Sequence, residues 1–184
     1  MFVITAERPG DAAAIDILLD RAFGPDRHGK IAYRYRRGVK PVAGLSLVAH
    51  DAADASAAGL VGSIRYWPVV VGGEAPALLL GPLAVEPARR GESIGHGLIR
   101  RSMAMAAAAG HRAALLVGEI SYYGQFGFDP APPRGLDMPG EAPHRLLVAA
   151  LAADGLAGLH GRIGPAPEAH PAADIPCCTA RLPA

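Results

Sequence analysis

The residues best placed to do chemistry form one unbroken run. From Leu83 to Leu98 the chain reads Leu-Ala-Val-Glu-Pro-Ala-Arg-Arg-Gly-Glu-Ser-Ile-Gly-His-Gly-Leu. An apolar segment ends at Val85, a turn of small residues follows, and Ile94 opens the strongest helical pattern in the chain. Amides in a first helical turn have no partner inside the helix and carry partial positive charge. Small residues let a diphosphate approach them, so Arg90, Gly91, Glu92, Ser93, Ile94, Gly95 and His96 outline an anion cradle. Arg89 or Arg90 would add a charge-assisted contact. The glycines alone decide nothing, because a strand–turn–helix also uses them for close packing. No Gly-Lys-Ser/Thr closes the turn, which excludes a P-loop. A dinucleotide fold fits poorly, since its fingerprint belongs to a parallel βαβ unit and the strand here comes from an apparent hairpin.

Other reactive constellations are sparse. No His/Cys/Asp/Glu group has metal-ligand spacing, so no metal is expected, and no Ser-centred nucleophile elbow is present. His28 and His111 stand alone. Cys177 and Cys178 are the only cysteines and adjacent, a strained geometry for a disulfide, and read as reduced thiols in a C-terminal strand or loop.

The elements that must position the run fit one domain of 184 residues. With 18 basic against 17 acidic residues, no charge excess points to nucleic acid or an anionic membrane. No apolar run approaches the ~18 residues of a membrane span. The first residues lack the layout of a signal peptide, so a cytoplasmic location is the expectation. Pattern and turn residues predict strands over 2–5, 45–49, 60–71, 77–85, 113–117 and 145–152. They predict a helix capped by Asp11 and running through Arg21 or Phe23, helices over 30–37 and 94–109, a helical turn over 121–126, and a hairpin at Gly72-Gly73. Gly81-Pro82 inside a strand marks a bulge or lost ladder bonds. The order implies an α/β fold, a single mixed, mostly antiparallel twisted sheet with helices on both faces. Residues 1–164 make the domain; a Pro/Ala-rich tail over 165–184 either lies on the surface or adds a last strand near 177–181.

At these residues the chain resembles the GCN5-related N-acetyltransferase superfamily, in particular its YhbS-like bacterial branch. The superfamily's acyl-CoA signature, Gln/Arg-x-x-Gly-x-Gly/Ala, falls on Arg90 to Gly95. Leu78 to Pro87 (LLLGPLAVEP), Leu115 to Gly118 and Tyr122 to Phe128 (YYGQFGF) resemble the branch in order and separation, and together span about half the chain. Ser93 replaces a usual glycine, and Glu92 stands where a basic or neutral residue is more common.

The resemblance implies acetyl-CoA as co-substrate, held between splayed strands ending at Val85 and near Val117. Pantetheine would pair with the main chain of Leu83, Ala84 and Val85, the pyrophosphate would rest on amides from Gly91 to His96, and Phe126 would join the cofactor contacts. Acyl transfer to an amine expels a thiolate with a pKa near ~8.5, and a phenol near ~10 can return its proton. In the superfamily the tyrosine four residues ahead of the Gly-Phe pair serves this role, which implies Tyr123 rather than Tyr122; packing of both rings is the alternative. A lysine-like acceptor costs ~4.6 kcal/mol to deprotonate at pH 7 and an α-amine ~1. Glu119, just past the strand ending at Val117, is the best-placed general base, and a solvated loop acid is an equal reading. The implied function is direct N-acetylation of a small-molecule or peptide amine; monomer and homodimer are equally open. The alternative is a non-catalytic acyl-CoA-binding module whose turn Glu92 and Ser93 have weakened. Lys30, Arg34, Arg36 and Arg37 would favour an acidic acceptor, or form an ordinary solvated helix face.

Overall fold

The computed structural model describes residues 1–166. Strand β1 (Phe2–Ala6) leads into α1 (Ala12–Phe23), and the chain then runs through 3-10 turns before β2 (Leu47–Asp51). The long strands β3 (Leu60–Val71) and β4 (Ala75–Val85) follow as a hairpin, then α2 (Ile94–Ala108) and β5 (Ala113–Val117). The last part carries α3 (Ile120–Tyr123), two-residue strands β6 (Asp129–Pro130) and β7 (Leu136–Asp137), then β8 (Leu146–Ala150) and β9 (Gly161–Pro165). The main path is β1-β2-β3-β4-β5-β8-β6. Pairing along it is antiparallel except between β4 and β5. At twelve residues, β3 is long enough for β9 to pair with Val69–Val71 beyond the stretch held by β2.

Helices cover both faces. On one, Ile94, Leu98, Ile99 and Ala106 of α2 bury against Leu47, Ala49, Ile64, Tyr66, Leu78 and Leu80. On the other, Ile15, Leu18 and Leu19 of α1 meet Val48, Leu60 and Ala84. Side chains alternate across a strand, so Leu78 and Leu80 face α2 while Ala77 and Leu79 face away. The alternation changes phase at Gly81-Pro82. Ile64 opposes Leu83 and Tyr66 opposes Leu80, so β4 carries one extra residue between those pairs. Without it Ala84 would point at α2; with it Ala84 packs against α1, and Leu83 and Val85 turn towards α2.

Most predicted elements are found in place, with corrections. The basic helix expected over 30–37 is a run of 3-10 turns, Ile31–Arg36. Residues three apart eclipse in that geometry, which stacks the Arg36 guanidinium 4.6 Å from the centre of the Tyr33 ring while Tyr35 points into the core. The helical turn near 121–126 divides into α3 and a 3-10 turn over Gly124–Phe126. Strand β9 was not foreseen; Gly161 and Gly164 hide its alternation, and only Ile163 is fully buried. The strand expected near 177–181 and both cysteines lie outside the described residues. No helix among the described residues is long and apolar enough to cross a membrane.

Candidate active site

β4 and β5 run parallel but are hydrogen-bonded in register only at Leu78–Ala114 and Leu79–Leu115. Beyond that point they diverge, at the bulge that shifts the phase of β4. The divergence leaves the main chain from Leu83 to Val85 without a neighbour on its β5 side. A cleft of about 460 Å³ opens there. Its floor is Leu83, Ala84 and Val85; its rim is Arg89, Arg90, Gly91 and the first turn of α2 from Ser93 to His96; Ala22 and Phe23 of α1 and the tyrosines 122 and 123 close it.

The head of α2 presents free donors. The amides of Gly91, Ser93, Ile94, Gly95 and His96 have no hydrogen-bond acceptor among the described residues, and the first helical bond is Gly97 N–H to Ser93 C=O at 3.0 Å. Main-chain bends aim them. Gly91 has φ +89°, and Ser93, the helix N-cap, has φ +61° in the left-handed region. A serine there carries a steric cost that glycine avoids. Its hydroxyl caps no amide.

The carboxylate of Glu92 does not face this cradle unbalanced. Arg89 grips it through Nε and Nη2, the latter at 2.8 Å, and reaches Asp51 through Nη1. The Arg89 hydrogen bond holds the Glu92 carboxyl below its usual range. Asp51 is held down by the Ala53 amide and then by Arg89. Arg89 is thereby committed to two carboxylates, and Arg90, exposed on the cleft rim with no ion pair among the described residues, is the cation left for a bound anion.

The tyrosines occupy the opposite wall. Gly118 makes room for Tyr123: a Cβ at 118 would lie 2.3 Å from Tyr123 Cε2. Tyr123 packs edge-on against Tyr122 and Phe128, and its hydroxyl has no protein partner among the described residues. Burial first, then Tyr122, pushes its pKa up to about 12. The Tyr122 hydroxyl sits against the α2 backbone, where a Cβ at Gly95 would come within 2.6 Å of it. Burial raises its pKa as well. His96 meets the rings of Tyr122 and Phe126 edge-on, with centroids 5.6 and 5.1 Å apart.

The structure therefore gathers Leu83, Ala84, Val85, Arg90, Gly91, Ser93, Ile94, Gly95, His96 and Tyr123 around one cleft. Three of the expected residues stand back from its lining: Glu92 turns to Arg89, Phe126 lies behind His96, and Glu119 is exposed with an oxygen 3.1 Å from Arg145 Nε. Sequence reasoning missed Ala22, Phe23 and Tyr122 as lining, and the Arg89–Asp51 contact. The three-residue spacing of Arg89 and Glu92 was a usable signal; Asp51, distant in the chain, left none. No group of three or more potential metal ligands exists among the described residues.

Comparison with known proteins fits this geometry. The acetyltransferase (GNAT) domain family matches residues 8–131, more than half of the chain. The chain belongs to the GNAT acetyltransferase family. It is 30% identical over 128 residues to a protein of Escherichia coli K12 named as the uncharacterized N-acetyltransferase YhbS, covering 69% of this chain and 73% of that one. The crystal structure of Escherichia coli YhbS in complex with CoA superposes with a TM-score of 0.75 at 30% identity, covering 88% of both chains. A GNAT-family acetyltransferase of Brucella melitensis, in complex with acetyl-CoA, gives 0.67 at 30% identity over 89% of this chain and 95% of that one. The mixed open sheet with helices on both faces is thus the GNAT fold, and the divergence of β4 from β5 lies within the family match.

Proposed function

We propose that this chain moves the acetyl group of acetyl-CoA directly to a primary amine of a small molecule or peptide. The observation that carries the reading is the set of unpaired amides of Gly91 and of Ser93 to His96, sharing one cleft with Tyr123. That both relatives of 30% identity were solved with CoA or acetyl-CoA supports it.

The residues fit such a ligand in three places. Amides at the head of α2, with Arg90, suit the diphosphate. The unpaired edge of β4 from Leu83 to Val85 suits amide groups of the pantetheine arm. The cleft is large enough for the arm to lie between strands. When bound, acetyl-CoA supplies a thioester whose acyl transfer releases a thiolate.

Tyr123 holds its proton firmly, and that is the state a donor needs. A phenol pushed up to about 12 is fully protonated at neutral pH. The burial that raises it also raises the affinity of a thiolate for a proton in the same cleft, so the two remain matched. Tyr123 Oη then returns the proton to sulfur. Among the described residues no carboxylate lines the cleft, and in this reading deprotonation of the incoming amine falls to solvent. Glu119, tied to Arg145 away from the lining, takes no part in this reading. A non-catalytic binding module would need a weakened turn, and the grip of Arg89 on Glu92 removes the charge repulsion that would weaken it.

Thiol release from acetyl-CoA with a panel of amines tests the proposal. Amine-dependent release is the expected result. Acetyl-CoA that binds, seen as a thermal shift, but releases no thiol with any amine would overturn it in favour of the binding module.

A further inference from the structure

A second cleft, of about 320 Å³, lies beside the first. Pro82 lines it while the next residue, Leu83, lines the first cleft; on α1, Leu19 lines the second and Ala22 the first. The remaining walls include Arg27, Tyr33, Arg36 and Trp67.

Its arginines differ in what balances them. Arg27 is 4% exposed and fully partnered: Nε donates to Asp20 at 2.7 Å, Nη2 to Asp16 at 3.1 Å and Nη1 to the Tyr33 hydroxyl at 3.0 Å. Arg65 donates twice to Glu7, at 2.8 and 2.6 Å. Neither Arg36 nor Arg37 has a carboxylate within 4 Å among the described residues; Arg37 is exposed to solvent, whereas Arg36 is half-buried. Its Nε is buried without a partner, and so is the indole Nε1 of Trp67. The guanidinium lies 4.6 Å from the Tyr33 ring centre and 5.9 Å from that of Trp67. One of its terminal nitrogens comes so close to Gly81, φ +120°, that a Cβ there would meet it at 3.2 Å.

A half-buried cation with no counter-charge among the described residues is costly in a folded protein. Burial, together with repulsion from Arg27 and Arg65, pulls Arg36 down to about 10 despite the help of Tyr33. Aromatic walls hold the guanidinium in place without neutralising it. Its fork therefore points to a planar or tetrahedral oxyanion that the described residues do not supply.

Resting on the acetyltransferase reading, we infer that the acceptor is a small amine carrying a carboxylate or phosphate ester, and that Arg36 receives this anion in the second cleft. The amine then extends past Pro82 towards Leu83 and Tyr123. An acidic acceptor, one of two readings of the basic stretch from Lys30 to Arg37, is here assigned to a single residue.

Trp67 is the only tryptophan, so its emission reports this cleft without any turnover. The full-length protein, free of acetyl-CoA, is titrated with glutarate, glycerol 3-phosphate and the neutral glutaramide. Glutarate or glycerol 3-phosphate should change the emission saturably, the lower midpoint naming the anion, and glutaramide should not. Arg36→Met should raise that midpoint at least tenfold with little change in Tm, because the methionine keeps the apolar stem against Tyr33 and Trp67 and relief of an uncompensated charge offsets the lost ring contacts. A purely structural arginine would lower Tm instead. Equal responses to glutarate and glutaramide, or an unchanged midpoint in Arg36→Met, overturn the inference. With acetyl-CoA present, 4-aminobutyrate should exceed 4-aminobutanamide in kcat/KM at least tenfold when glutarate is the tighter anion, and Arg36→Met should erase the difference. Anion binding without turnover of any amine overturns the acetyltransferase reading and leaves the anion site standing.

Discussion

The two clefts beside the β4 bulge are made of different material. Most residues lining the first come from one stretch, the β4 edge and the turn into α2, whose unpaired amides are main-chain donors. The second is made of side chains drawn from α1, the 3-10 segment, β3 and the bulge. Main-chain donors depend on backbone conformation, so they tolerate exchange of the side chains above them. A side-chain site has no such tolerance, since its charge balance is set by individual residues. Tyr123 is the exception within the first cleft, a side chain on its wall.

Tyr123→Phe therefore separates chemistry from binding with the largest effect. If the phenol returns the proton, the variant should lose about 100-fold or more in kcat. The thermal shift produced by acetyl-CoA should be unchanged, because the amides are untouched. Ligand at 100 times its Kd adds about 2.7 kcal/mol in either protein. Tyr122→Phe should cost far less. The assignment breaks if that order is reversed, which single-turnover assays would show.

Gly118→Ala asks the same question without removing the hydroxyl. The added Cβ collides with the Tyr123 ring, which must swing from its place. The expected result is a fall of about tenfold in kcat, in line with misplacement of a reacting group. Acetyl-CoA binding should again persist.

How much of this was legible follows from the same contrast. The run from Leu83 to His96 advertised its cleft because a backbone-built site needs neighbouring small residues, and neighbours in space are there neighbours in sequence. Gly81-Pro82 signalled the bulge directly, since glycine and proline are what an interrupted ladder uses. The second cleft was unreadable for the opposite reason. Nothing local distinguishes Arg36 from Arg34 or Arg37; only the fold shows that Asp16 and Asp20 neutralise Arg27, that Glu7 takes Arg65, and that no acid among the described residues is left for Arg36. Glu119, read as either a base or a solvated loop acid, shows the same limit. Its place after β5 suggested a base, and Arg145, 26 residues on, claims its carboxylate.

Charge on the rim of the first cleft gives a smaller, divided effect. Arg90→Ala should weaken acetyl-CoA binding several-fold, more at low salt than at high, since the side chain is exposed. Arg89→Ala should also weaken it, indirectly, by releasing Glu92 beside the cradle. Adding Glu92→Gln should then restore most of the loss in the Arg89→Ala protein and almost nothing in Arg90→Ala. Calorimetric titrations of these variants decide whether Arg89 acts on the ligand or only on Glu92; failure of the restoration would place Arg89 among the direct contacts.

Ser93→Gly carries the smallest expected effect and the sharpest bearing on the comparison. At φ +61° the serine pays a left-handed penalty, about 1 kcal/mol at the low end for a small side chain. Glycine removes that penalty but adds about 0.5 kcal/mol of freedom to the unfolded chain. No cap is lost, because the serine hydroxyl bonds to no amide. The net gain is about 0.5 kcal/mol, which raises Tm by roughly 1–2 °C in a domain of this size. If the first cleft is a main-chain site, acetyl-CoA should bind Ser93→Gly as tightly as the parent, since every donor amide remains. A marked loss of affinity alongside the higher Tm would make the hydroxyl a ligand contact, and the cradle would then share the side-chain character of its neighbour.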